Sequence, residues 1–280
     1  MLSKRLAILA VVVVAVSTAF AQVSIAPSEA PAPNSPEARA LQAFQNAPMR
    51  RAGVAPKVDD GTANSYNWSG YAVTGTAFTD VKGSWIVPKA TCTKSPNGWA
   101  SFWVGIDGYN SSTVEQTGTL VWCDRTVPHY YTWYEFYPAA TTYITTVPSK
   151  PGDKMSAEVS YAGGKFTAKI TDETTGKSFS ITKAVSGAER TSAEWIAEAP
   201  EAITGILNLA DFTKASFGDD YTAIKDTNWA TDSTVSGPIS DFGSAVEKIT
   251  QIDFTNFIEA RPSALSTDGS SFTSTWVEYN

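Results

Sequence analysis

The chain has 280 residues, with 21 basic against 28 acidic side chains, one histidine and two cysteines, for a formal charge of −7. Six of the basic and four of the acidic residues fall in the first sixty positions, so the remainder carries −9 and would repel phosphate, which sets nucleic acid aside as a partner. One histidine and two thiols are too few ligands for a zinc site, and His129 lacks the G-x-S-x-G context of a Ser-His-Asp hydrolase.

Met1 to Arg5 is a short basic start, followed by an unbroken apolar run from Leu6 to Val16 and the small-residue pattern Ala19-Phe20-Ala21. That is the form of a secretory signal peptide over 1–21, too short for a stable bilayer anchor. It predicts an exported protein, extracellular or periplasmic, with no membrane contact in its mature form. Residues 22–60 are rich in Ala and Pro and almost free of aromatics, so they cannot bury enough surface to offset their ordering entropy. They form a linker or a pro-segment. Arg39, Arg50, Arg51 and Lys57 could dock this segment on the acidic remainder as an inhibitor, and Arg50-Arg51 is a candidate processing site.

Residues 61–280 then read as one domain, expected to act as a monomer. Turn signals recur at Ser69-Gly70, Thr74-Gly75, Pro96-Asn97-Gly98, Pro151-Gly152-Asp153, Gly163-Gly164 and Thr175-Gly176. Short runs of period-two alternation lie between them, and no long helical period appears. This predicts an all-β antiparallel sandwich or barrel. In an exported protein an even pair of cysteines is expected to close as a Cys92–Cys123 disulfide.

Within Trp103–Gly108, Val104 and Ile106 point one way while Trp103 and Asp107 point the other. Within Thr132–Tyr137, Tyr134 and Phe136 oppose Trp133, Glu135 and Tyr137. Within Ala193–Ala199, Glu194, Ile196 and Glu198 oppose Trp195. Each segment thus offers an apolar row for the interior and a row of aromatics and carboxylates for the floor of a groove. Lys154–Tyr161, Lys165–Asp172 and Ser178–Lys183 read as a meander. With histidine, free thiol and metal set aside, carboxyls, tyrosines and amides are left to do any chemistry. Gln116 stands out, because an amide donates hydrogen bonds to a developing oxyanion at any pH.

Five segments in order resemble the glutamic peptidases, or eqolisins, a family of secreted acid endopeptidases. They are Asn67-Trp68-Ser69-Gly70, Trp103 to Gly108, Gln116-Thr117-Gly118, Trp133 to Pro138 and Thr191 to Glu198; weaker similarity continues to Val277. The resemblance implies a sandwich of two bent antiparallel sheets with the active site on a concave face. It implies Gln116 and Glu198 as the catalytic pair, with Trp103, Asp107 and Glu135 lining the same site. Trp133, Tyr137 and Glu194 join these as substrate-binding candidates from the alternation. The implied chemistry uses no cofactor or metal, acts on protein or peptide, and is insensitive to pepstatin. Glu115 stands where relatives carry an apolar residue, and alternation turns it away from Gln116, toward solvent at a sheet edge. Clustered carboxyls predict a protein that is stable in acid and labile toward neutral pH. Two other readings stay open: a glycoside hydrolase on a similar sandwich using Glu135 and Glu198, and a non-catalytic carbohydrate- or peptide-binding module.

Overall fold

Alternating side chains set the architecture. In this computed structural model the described residues are Ser35, Ala38, Arg39, Gln42, 62–202 and 205–277. The expected leader over 1–21 lies outside them, as does most of 22–60.

The domain opens with β1 (Thr62–Ser65), β2 (Trp68–Thr74) and β3 (Asp80–Ile86). β4 (Trp99–Ile106), β5 (Val114–Asp124) and β6 (Val127–Tyr137) form an antiparallel meander, closed by the short β7 (Thr142–Tyr143). The second expected meander is β8 (Lys154–Ala162), β9 (Lys165–Asp172) and β10 (Lys177–Lys183). β11 (Ser192–Glu198) leads into a two-residue hairpin, β12 (Glu201–Ala202) and β13 (Gly205–Ile206). β14 (Lys214–Phe217), β15 (Trp229–Thr231), β16 (Ser236–Pro238), β17 (Val246–Ile252), β18 (Ile258–Pro262) and β19 (Phe272–Trp276) complete the chain.

Pairing arranges these strands as two layers. One runs β6–β5–β4–β11–β2–β17 through antiparallel ladders. The other runs β10–β9–β8–β3–β14–β19. β18 pairs with both β17 and β19 and so joins the layers along one side. The result is an all-β sandwich, as the punctuation of the sequence predicts.

The inter-layer core takes one row from each strand. Phe102, Val104 and Ile106 of β4, Tyr134 and Phe136 of β6, and Ala193, Trp195 and Ala197 of β11 meet Val81 and Trp85 of β3 and Met155 and Val159 of β8. At about 25 cal/mol per Å², such burial is the main favourable contribution to the fold. β9 shows the alternation plainly, with Phe166, Ala168 and Ile170 buried while Lys165 and Lys169 are exposed. The disulfide expected from the cysteine pair is formed, with Cα atoms of Cys92 and Cys123 5.3 Å apart, and ties the β3–β4 connection to the end of β5.

The opposite face of the first layer departs from expectation. Alternation predicts a groove floor for the row containing Trp103 and Trp133, yet both indoles are fully buried. They belong to a second apolar cluster with Trp68, Leu120 and Ile196, against which Tyr131, Tyr137, Tyr143 and Leu207 pack. Strand alternation identifies which residues share a face; it carries no information on what lies over that face.

Candidate active site

β4 is the axis of the site, with β5 on one side and β11 on the other. Its register sets Gln116 of β5 opposite Gly105, and Gly105 opposite Glu194 of β11. On the far side of β5, Gln116 faces Glu135 of β6. Two glycines make room for the side chains on this face. A Cβ on Gly118 would come within 2.6 Å of the Trp103 Cβ, and one on Gly105 would sit 3.0 Å from the Trp103 ring and 3.1 Å from the Gln116 Cβ.

The catalytic candidates fall into two hydrogen-bonded groups. In the first, Gln116 Nε2 donates to Glu135 Oε2 at 2.7 Å, and the Thr141 hydroxyl donates to Glu135 Oε1 at 2.6 Å. Thr141 thus holds one oxygen of the Glu135 carboxyl while the other accepts from the glutamine. In the second, Asn67 Nδ2 donates to Glu198 Oε1 at 2.9 Å and Trp103 Nε1 to Glu198 Oε2 at 2.7 Å. Gln116, Glu135 and Glu198 are all buried.

Burial raises the proton affinity of Glu198 well above that of an ordinary glutamate, and the charges of Glu135 and Glu201 push the same way. The indole N–H groups of Trp103 and Trp68 oppose the rise by favouring the carboxylate. Glu135 thus bonds to Gln116 and is electrostatically felt by Glu198, which links the two groups. A carboxyl poised between these opposing influences is suited to take up a proton and give it back.

The other sequence candidates are placed as follows. Trp133 lies on the same face as Glu135, buried in the second cluster, while Tyr137 is half-buried beside it. Glu194 is fully buried on β11, and burial lifts its proton affinity, with further increments from Asp107 and Glu115 and a reduction from Ser192. Asp107 has left the strand, with φ of 70°. Its Oδ2 accepts the backbone N–H groups of Glu189 (2.9 Å) and Arg190 (2.7 Å), and its Oδ1 accepts that of Thr191 (2.9 Å). Its work in this structure is to fix the segment entering β11.

Glu115 corrects the reading from sequence. It points away from Gln116, as alternation requires, but not to solvent. It pairs with Ile106 and Phe136, both core residues, so its carboxyl enters the space between the layers. Burial, reinforced by the charge of Asp107, pushes its pKa from 4.5 to about 9.

Asn67 and Thr141 hydrogen-bond the candidate carboxyls and are not among the site residues that the sequence predicts. Asn67 sits inside a recognisable motif, which was the available signal, but its partner is 131 positions away. Thr141 lies in a loop with no motif at all. Among the described residues, Asp219, Asp220 and Asp268 converge closely enough to suggest a cation site. Asp219 is already bonded to Lys225 Nζ at 2.8 Å, and Asp268 accepts from Ser266 and Ser270.

Comparison with known proteins bears on the fold and the family. Scytalidopepsin B of Scytalidium lignicola is 34% identical over 137 residues, covering 47% of this chain and 51% of that protein. The chain thus spans about half the length of the curated relative it matches. The crystal structure of scytalido-glutamic peptidase with a transition state analog inhibitor superimposes with a TM-score of 0.62 at 24% identity, over 76% of this chain and 98% of that one. Aspergilloglutamic peptidase from Aspergillus niger gives a TM-score of 0.54 at 27% identity, over 64% of this chain and 99% of that one. The profile of the Peptidase A4 family matches residues 66–256, a span that takes in Asn67, Gln116, Glu135 and Glu198. On that match, across more than half of its length and on a sandwich of the same kind, the chain belongs to the Peptidase A4 family.

Proposed function

We propose that this protein is a secreted acid endopeptidase that cleaves peptide bonds with Gln116, Glu198 and one water, and that pepstatin does not inhibit it. The observation that carries the reading is the setting of Glu198. Its two oxygens are held by Asn67 and Trp103 at 2.9 and 2.7 Å, in a buried site that also orients an amide through Glu135.

The steps follow from these groups. The Asn67 and Trp103 hydrogen bonds favour the ionised form of Glu198, and in that form it takes a proton from water as the water oxygen attacks the scissile carbonyl carbon. The carbonyl oxygen becomes an oxyanion, which accepts a hydrogen bond from the Gln116 amide. The intermediate collapses, the C–N bond breaks, and protonated Glu198 passes its proton to the leaving nitrogen. Glu135 and Thr141 are positioning residues that hold Gln116 in the orientation the oxyanion needs.

The N-terminal region fits the same reading. Residues 1–21 direct export, and 22–60 restrain the enzyme before processing. Arg39 Nη2 lies 3.8 Å from Asp124 Oδ2, at the end of the strand that carries Gln116, which supports docking of this segment on the domain. An exposed pair of this kind is worth at most about 1 kcal/mol, so it guides docking rather than supplying its strength. The processed protein acts as a monomer.

The test is cleavage of denatured casein under acid conditions, with and without pepstatin, by wild type, Gln116→Ala and Glu198→Gln. Pepstatin-resistant cleavage that disappears in both variants supports the proposal. Wild-type protein that leaves casein intact and instead releases reducing sugar from a polysaccharide overturns it. Full activity of the unprocessed chain overturns the inhibitory role of 22–60.

A further inference from the structure

The hairpin between β17 and β18 presents two aromatic side chains that the fold does not bury: Phe254 is 76% exposed and Phe257 62%. The turn carrying them is firmly held. Asp253 Oδ1 accepts the backbone N–H of Thr255 at 2.7 Å and of Phe257 at 2.9 Å, and also the Thr255 hydroxyl at 2.7 Å. The Asp253 N–H in turn reaches the Phe257 carbonyl at 2.8 Å. Phe254 leans against Tyr66, with ring centroids 4.7 Å apart and planes tilted by 32°. A single exposed phenylalanine is ordinary on a protein surface. One fixed by a bonded turn against a second ring, at the mouth of a cleft, has a defined position at which to meet a ligand.

That cleft has a volume of about 90 Å³, with Tyr66, Ile206, Leu207, Ile252 and Phe254 as its apolar walls and Asn208, Asp253 and Glu259 on its polar side. It is far below the roughly 300–1,000 Å³ of pockets that enclose a whole drug-sized ligand, so its size suits one side chain. Gln251 Nε2 donates to Glu259 Oε2 at 3.0 Å, and burial raises the proton affinity of Glu259, whereas the Thr255 and Phe257 hydrogen bonds lower that of Asp253.

Three connections lead from the cleft to the candidate active site. Tyr66 immediately precedes Asn67, whose amide holds Glu198 at 2.9 Å. Leu207 packs on the cluster containing Trp68 and Trp103. Ile206 pairs with Glu201, whose charge reaches Glu198. The cleft therefore flanks Glu198 on the β2–β17 side, away from Gln116 and Glu135.

We propose that this cleft is a substrate subsite for an apolar or aromatic side chain of the peptide, with Phe254 as its specificity-determining residue. The proposal rests on the peptidase reading above. A substrate strand crossing from Gln116 past Glu198 brings a side chain over Tyr66, where closing the cleft removes the exposed Phe254 face from water. The gain is larger for Leu or Phe than for Ser, because burial of apolar surface drives it.

The experiment compares kcat/KM for wild type, Phe254→Ser and Phe257→Ser on acid-soluble peptides varied position by position around one cleaved bond. Wild type should prefer Leu or Phe over Ser at one position by about ten- to a hundredfold, the range a hydrophobic pocket supplies. Phe254→Ser should lose at least tenfold of that preference at that position alone, through KM, whereas Phe257→Ser, on the same turn but off the cleft, should keep it. Phe254→Ser with the wild-type profile overturns the subsite while leaving the peptidase reading intact. So does an equal loss in Phe257→Ser, or a wild-type preference for Lys at that position. A wild type that cleaves none of the peptides or casein brings down the peptidase reading and the subsite with it.

Discussion

In the proposed mechanism Gln116 and Glu198 divide the chemistry between a group that cannot titrate and one that must. The amide works at any pH, so acid dependence falls on the carboxyl. If activity requires ionised Glu198, the acid limb of kcat/KM follows its ionisation. Trp103 Nε1 at 2.7 Å favours the carboxylate. Trp103→Phe therefore raises the proton affinity of Glu198, and the acid limb of the pH profile moves to higher pH. A limb that stays in place would show that another group controls it. Gln116→Ala is expected to lose about 100- to 1,000-fold in kcat, as for removal of an oxyanion donor elsewhere, with a smaller change in KM. Both catalytic candidates were legible in the sequence because each sits in a short motif. The hold of Asn67 on Glu198 was not, since hydrogen bonding across 131 positions leaves no local pattern.

β5 illustrates what a strand does with its two faces. One presents Gln116 to Glu135; the other sends Glu115 into the inter-layer core beside Ile106 and Phe136. Alternation gave the direction of Glu115 correctly but not its surroundings, because a strand that looks like an edge in sequence can be covered by a second layer. The pKa of about 9, against 4.5 for an ordinary glutamate, has a calculable consequence. The unfolded chain ionises at pH 7 while the folded chain keeps the proton, which costs about 3 kcal/mol of stability at that pH. Glu115→Gln removes the titration and keeps the shape. Its Tm should exceed that of wild type at pH 7, and the two should converge in acid. A Tm difference independent of pH would refute the assignment.

The same sign governs the whole molecule. Glu115, Glu194 and Glu198 have folded proton affinities raised by burial, and Asp80 is raised from 3.8 to about 6. A raised carboxyl stabilises the fold fully below its unfolded pKa, and that stability is lost as pH rises toward the folded value. Each such group costs about 1.4 kcal/mol per pH unit across that window. Thermal unfolding should therefore give a higher Tm at about pH 4 than at about pH 8, and the reverse order would refute this account. The sandwich class and the two meanders were legible from turn spacing and period-two runs. The joining role of β18 was not, because its partners are chosen by layer closure rather than by any pattern within Ile258–Pro262.

Asp107 also bears on where the chain can be lengthened. By gripping the backbone of 189–191, it isolates the start of β11 from whatever precedes it. Ser186 and Gly187, just upstream, are exposed, and Gly187 has open space where a Cβ would stand. A peptide tag or small domain spliced between them would be mechanically uncoupled from Glu198, which makes this connection a natural insertion point for a reporter.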